Sequence, residues 1–327
     1  MTFGAVRSGL LRPLAVLFAL LASSGDARSE DGAAFMAYVR GETPALVAYV
    51  PAEFNPDQPL AGPFPVERLR ADLAALRAAF DGLILYDYRE ELTPHILEQA
   101  AALGYRAVLL GIWQPRSETE VRGTAELVRL WRDRLALAVC IGNEGINENR
   151  YAMDDLERAR NRLQELTRPG GPVPTTTTEP SGDYGWPPLQ AFGDFLAPNI
   201  HPAIDQERLG PDAAVGWVRA RAEAIARIAG KPVLVKETGF PNGGGEGQTP
   251  ERQRMFWAAW LARGRLAPVA RPAGFVSYAA AFEAFDAPWK AVKLASPIEG
   301  RWGLMSVDRV PHPAFGVWAD AAAGSRR

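Results

Sequence analysis

Cysteine and histidine are nearly missing from this chain of 327 residues, which holds one Cys and three His. A single cysteine excludes an internal disulfide, so stability has to come from a packed core, which a chain of this size can build. Cys140 lies in an apolar run and reads as a small buried hydrophobe. The scattered histidines do not form the ligand cluster of a zinc site, and no glycine turn of GxGxxG or GxxxxGK(S/T) form follows an early strand, so neither metal nor cofactor is expected. Excess charge of one sign is missing too. Lys and Arg number 36 against 38 Asp and Glu, a formal charge of −2, which supplies no basic field for nucleic acid. No apolar run reaches the roughly 20 residues that a bilayer-spanning helix needs. With 47% hydrophobic and 23% charged residues, the composition is that of a globular chain rather than a disordered one.

The N-terminus carries a targeting pattern. Arg7 and Arg12 lead into the apolar run 14–22, and Ser23, Ser24, Gly25, Asp26 and Ala27 follow. This is the layout of a secretory signal peptide. Residues 1–27 are expected to be removed on export to the periplasm or beyond the cell, with an uncleaved anchor as the alternative. Residues 28–327 then form one domain, expected to be monomeric.

Past residue 43, short apolar runs alternate with amphipathic stretches. Strands are predicted at 45–50, 83–88, 107–113, 135–141, 173–178, 195–201, 232–237 and 274–282. Helices are predicted at 66–79, 94–103, 118–133, 154–166, 213–229, 250–262 and 313–322. The strand runs are continuous rather than alternating, as they must be when both faces are buried. Eight such units predict an α/β fold of the (β/α)8 TIM-barrel kind. A doubly wound open sheet is the alternative, and it lacks its phosphate turn.

Reactive groups of such a barrel sit where strands end. The fourth run ends in Ile141-Gly142-Asn143-Glu144, and the seventh in Lys236-Glu237-Thr238-Gly239-Phe240-Pro241. A carboxylate directly after an apolar strand is costly unless it has a partner or a task. Two of them across one cleft suit glycosidic bond cleavage, which asks for one protonated and one ionised carboxyl. Aromatic residues cluster at the same ends: Tyr86, Tyr88, Trp113, Tyr184, Trp186, Phe240, Phe282, Trp289 and Trp302. Their faces can stack on sugar rings. Core packing is the alternative for each, and the preferred reading for Phe282. Trp186, beside Pro187 and Pro188, is expected to be exposed.

Taken together, these segments resemble glycoside hydrolase family 17. Ile141-Gly142-Asn143-Glu144 is similar to its acid/base motif and Glu237-Thr238-Gly239-Phe240-Pro241 to its nucleophile motif. Asn199-Ile200-His201-Pro202, the run from Phe282 to Lys290, and Glu299-Gly300-Arg301-Trp302-Gly303-Leu304 follow in the family's order. The resemblance implies a retaining enzyme acting on β-1,3-glucan oligo- or polysaccharide, by hydrolysis or by transfer to a second glucan. It implies Glu144 as general acid/base, Glu237 as nucleophile, and Asn143 as a hydrogen-bonding partner of the sugar hydroxyl next to the reacting carbon. Lys290 and Glu299 match charged positions of the family's cleft, with a solvated surface pair as the alternative. His201 is expected to bond sugar or Glu237, or else to be a satisfied buried histidine. Retention calls for carboxyl groups about 5–5.5 Å apart. The chain departs from the family in having no Arg before Tyr86 and Ala287 where many members have Glu, which bears on the inner sugar contacts and the linkage. A barrel acting on another β-glucan, or one that binds glucan without turnover, are the rival readings.

Overall fold

The computed structural model describes residues 30–324 except 59–61, 63 and 207. The targeting segment expected at 1–27 lies outside the described residues. Nine strands form among those described: β1 (Leu46–Ala48), β2 (Gly82–Ile84), β3 (Ala107–Ile112), β4 (Ala136–Asn143), β5 (Thr175–Thr178), β6 (Val233–Leu234), β7 (Leu266–Val269), β8 (Gly274–Ser277) and β9 (Ala280–Ala281). They fall into a parallel sheet ordered β5-β4-β3-β2-β1-β9 and a smaller one ordered β6-β8-β7.

Two irregular stretches join these sheets into a closed (β/α)8 barrel. The eighth run bends: Val276 and Ser277 pair with β6, then Ala280 and Ala281 pair with β1. The sixth run, predicted as a strand over 195–201, makes only the bridges Leu196–Val233, Asn199–Glu237 and Pro180–Asn199. Pro198 has no N–H to give, so the ladder breaks there while its carbonyl still accepts from Lys236 N at 3.1 Å. Closure rules out the open doubly wound sheet. One strand was not anticipated. β7 runs antiparallel to β8, and its Pro268 keeps it on an edge.

The outward strand residues Val47, Leu83, Val108, Leu110, Val139, Ile141 and Val235 pack in one large core against the surrounding helices. Helix Glu118–Trp131 shows how the pattern works: Ser117 Oγ accepts from Glu120 N, and Val121, Leu127 and Val128 turn inward. Alternate residues Leu46, Ile84, Leu109, Ala138, Cys140 and Leu234 fill the barrel interior. Burial there pushes the Cys140 thiol up to about 12, as befits a packing residue. Gly111 lets β3 pass the chain beyond β2, since a Cβ would stand 2.2 Å from the Tyr86 backbone. No helix among the described residues is long and apolar enough to cross a membrane.

The floor of the barrel is a helix the sequence patterning did not single out, Glu30–Val39. Phe35 and Val39 are fully buried against Leu46, Ile84, Leu109, Ala138 and Leu234. The Phe35 ring lies 5.9 Å from that of Phe195. Tyr38 locks the helix to the strand starts, donating to Asp81 Oδ1 at 2.5 Å and accepting from Ala45 N at 3.1 Å. Truncating a buried aromatic costs about 3–5 kcal/mol. Phe35→Ala is therefore expected to lower unfolding free energy by that amount in chemical denaturation; a change below about 1 kcal/mol would show that this helix does not complete the core.

Candidate active site

The chain leaves β4 through a turn that few residues tolerate. Gly142 has φ +83°, and a Cβ on it would meet the Tyr151 hydroxyl at 2.3 Å. Glu144 itself adopts φ +54°, a left-handed conformation that costs of order 1–3 kcal/mol and persists only where neighbours enforce it. The enforcement is visible. Glu144 N donates to Thr178 O at 2.8 Å, and Gly145 N to the Tyr151 hydroxyl at 3.0 Å. Ile146 N and Asn147 N donate to the Glu179 carboxylate at 3.0 and 3.1 Å. Glu179, buried directly after β5, thus clamps the loop that carries Glu144. Burial raises Glu179 to about 7, against the pull of those two N–H groups.

Glu237 stands at the end of the seventh run. Its Oε1 accepts from Lys236 Nζ at 2.5 Å, and its Oε2 lies 3.4 Å from His201 Nε2. Lys236 Nζ also donates to Asn143 Oδ1 at 2.8 Å, tying strand seven to strand four. Asn199 Nδ2 donates to Glu144 Oε1 at 2.8 Å. On the eighth-strand side, Lys290 Nζ donates to Glu283 Oε2 at 2.6 Å, while the buried Glu283 Oε1 has no partner. The His201 ring meets Phe282 and Trp302 edge-on, each at 5.1 Å.

These surroundings drive the two carboxyls apart. Burial and the charge of Glu237 raise Glu144 above the ordinary carboxyl range, opposed by the Asn199 amide. Burial alone would raise Glu237 as well, but the Lys236 ammonium and the bond and charge of His201 outweigh it and hold this carboxyl well below that range. Burial disfavours a charged His201, yet its bond to Glu237 and the charges of Glu237 and Glu144 raise it overall. A protonated acid and an ionised carboxylate are the pair that bond cleavage with leaving-group protonation requires.

The structure gathers Asn143, Glu144, Tyr86, His201 and Glu237 at this mouth. Lys290 reaches it through Glu283, and Glu299 through its charge on His201 and Glu283. Trp113 lies beside the Glu144 loop, under the Arg150 guanidinium at 4.5 Å; Arg150 also bonds the Asn143 carbonyl. Trp186 is 43% exposed and lines a cavity of about 540 Å³ with Ile146, Asn147, Asp183 and Leu189. Trp289 is half-buried, with Lys290 Nζ 5.7 Å from its ring centre. Phe240 needs correcting as a sugar contact: it is 3% exposed and packs on Phe256 at 5.9 Å. Three residues beyond Glu237, it falls on the opposite face of the chain. Tyr184 is likewise core, its hydroxyl 3.3 Å from Thr177 O. Sequence reasoning passed over Glu179, Lys236, Asn199 and Glu283. The same signal, a polar residue closing an apolar run, marks Glu283; Glu179 follows four threonines and carries no such signal, and the partnering of Lys236 and Asn199 appears only in three dimensions. Among the described residues no group of three His, Cys, Asp or Glu is placed to hold a metal ion.

Residues 49–303 match the family model of the BtgE/BtgC glycoside hydrolase domain. None of the curated proteins matches the chain. Among solved structures, the glycoside hydrolase family 17 β-1,3-glucanosyltransferase from Rhizomucor miehei is 19% identical with TM-score 0.64, over 85% of this chain and 98% of its own. An endo-laminarinase from Formosa Hel1_33_131 is 20% identical with TM-score 0.64, over 83% of this chain and 84% of its own. GH5_18 from Streptomyces cattleya, in complex with GlcNAc, is 19% identical with TM-score 0.59, over 87% and 81%. At such identities the likeness establishes the barrel.

The Asn199 amide favours the ionised form of Glu144, so Asn199→Ala is expected to raise the Glu144 pKa further. Carboxyl-carbon NMR titration reads this directly, and an unchanged or lower value would remove Asn199 from the site's electrostatics.

Proposed function

The chain belongs to the BtgE/BtgC glycoside hydrolase domain family, and from that premise we propose an exported, retaining enzyme of the family 17 type that acts on β-1,3-glucan. The observation that carries this reading is the opposite pull on two carboxyls at one barrel mouth, with Glu144 raised and Glu237 lowered. The motifs around them, and the glucanosyltransferase and laminarinase among the structural neighbours, support the glucan assignment.

In the first step Glu237 attacks the anomeric carbon. The carbon–oxygen bond to the leaving sugar breaks, and that oxygen takes the proton of Glu144. The product is a glycosyl ester on Glu237. In the second step Glu144, now ionised, takes a proton from a water or from a sugar hydroxyl. The oxygen so freed attacks the same carbon and releases Glu237. Asn143 donates to the 2-hydroxyl of the reacting sugar, and the free Glu283 oxygen accepts from another hydroxyl. Two inversions leave the β configuration unchanged.

Glu237→Gln is expected to lower turnover by about 10⁴-fold or more with the fold intact. Glu144→Ala should be partly rescued by substrates whose leaving group needs no proton. Retention is read by NMR of the first products: an initial α anomer would overturn it. Laminarin left untouched while another β-glucan is cut would remove the β-1,3 assignment, and glucan binding undisturbed by Glu237→Gln in a chain without turnover would favour a binding barrel.

The cavity beside Trp186 favours transfer over simple hydrolysis. Ile146 and Asn147 of the loop that carries Glu144 line it, and on this reading its aromatic face holds an acceptor in place of water. With laminari-oligosaccharides, Trp186→Ala is expected to raise the acceptor concentration giving half-maximal transfer by roughly tenfold. Wild-type products never longer than the substrate would discard the transfer reading.

A further inference from the structure

Lys236 has no part in the steps above, yet it is the most enclosed cation at the cleft, its side chain 1% exposed. Nζ donates to Glu237 Oε1 at 2.5 Å and to Asn143 Oδ1 at 2.8 Å, and it lies 4.6 Å from the centre of the Tyr86 ring. Burying an ammonium is expensive, and here the cost is offset by its pairing with the buried Glu237 carboxylate, which would be left with less compensation if Lys236 alone were made apolar. Pairing the buried Glu237 accounts for a cation at this position but not for its second bond, to Asn143, which calls for a further reason.

Its bonds suggest one. An ammonium has three donors and no acceptor. The atom of Asn143 that faces it must be the carbonyl oxygen, which turns Nδ2 the other way. Among the described residues nothing accepts from that Nδ2, so it is left to donate outward. On Glu237 the same ammonium occupies Oε1. Oε2 has His201 at 3.4 Å, and the Tyr86 hydroxyl also faces the carboxylate.

We propose that Lys236 is a positioning residue that makes Oε2 the attacking atom of Glu237 and aims the Asn143 amide at the 2-hydroxyl of the reacting sugar. The inference rests on the reading of Glu237 as nucleophile. In the step, the Oε2–C1 bond forms, the C1–oxygen bond of the leaving sugar breaks, and Glu144 supplies the proton. Oε1 becomes the ester carbonyl, still bonded to Lys236. When the ester is cleaved the carboxylate is restored beside the same ammonium. Lys236 gains and loses no proton.

The groups that act on Glu237 and Lys236 come from every side of the mouth. Glu144 lies beyond β4, Tyr86 beyond β2, His201 beyond the sixth run, and Glu283 with Lys290 beyond β9. Cys140 faces Lys236 from within β4, and Glu299 acts on His201 and Glu283. Without Lys236, Glu237 keeps His201 as its partner and is repelled by Glu144 and Glu283. Its protonation then moves to higher pH, and the acid limb of kcat/KM follows.

The test compares Lys236→Met with the wild type on an aryl β-laminaribioside and on its analogue lacking the 2-hydroxyl of the reacting sugar. The wild type should favour the parent substrate. In the variant that preference should shrink by roughly tenfold or more, with the acid limb displaced upward. A folded variant, checked by circular dichroism, that keeps both the preference and the limb overturns the proposal, since a packing role moves neither. Should Lys236→Met not fold, Lys236→Arg decides, since it keeps the charge but displaces the donors: an unchanged preference for the 2-hydroxyl overturns the proposal, whereas a reduced preference sustains it. Glu237→Gln separates the two claims, because full turnover in that variant defeats the nucleophile assignment itself.

Discussion

A carboxylate placed at the end of an apolar strand loses its water, and the barrel mouth is organised around giving each such group a separate partner. Glu179 receives two backbone N–H groups, Glu144 an amide, Glu237 an ammonium and an imidazole, and Glu283 a lysine. Because the partners differ in charge, the carboxyls differ in their hold on a proton. The asymmetry that the proposed acid and nucleophile roles call for follows from the partners and not from the carboxyls, which are chemically identical.

Partnering also keeps the site in shape. Glu144 occupies a backbone conformation that a free chain avoids, and it is held there by Thr178, Tyr151 and the Glu179 clamp. Asn199 is itself fixed, its Oδ1 accepting from Thr178 Oγ1 at 3.1 Å. Thr178 is thus part of the arrangement, since its hydroxyl holds Asn199 and its carbonyl accepts from Glu144 N. A clamp of this kind spends fold stability on geometry, a trade common at functional sites.

Most of the barrel was legible in the sequence, because eight apolar runs with helices between them admit few arrangements. Both motif carboxylates were legible for the same reason: Glu144 and Glu237 directly follow such runs. What escaped was set by contacts between distant segments. The sixth run reads as a strand by composition, yet Pro198 removes a donor and reduces it to bridges. Phe240 reads as a cleft aromatic by its place in a motif, but the side of the chain it occupies depends on how the strand end turns. Lys236 reads as a charge next to a glutamate, and its bond to Asn143 spans from one strand to another three places along the barrel. Helix Glu30–Val39 is short and mostly apolar, without the alternation of apolar and polar faces that marks an amphipathic helix, and its purpose is apparent only against the open end it covers.

That helix constrains how the molecule is assembled. Its aromatic plug contacts side chains drawn from nearly the whole length of the chain, from Leu46 to Ala280, and Arg265 reaches back to the carbonyls of Thr43 and Pro44, at 2.9 and 3.0 Å. Until strand β9 has zipped onto β1, the cavity that receives Phe35 does not exist. Ring closure and the docking of the plug therefore stabilise one another, since the pairing of β9 with β1 completes the surface on which Phe35 rests.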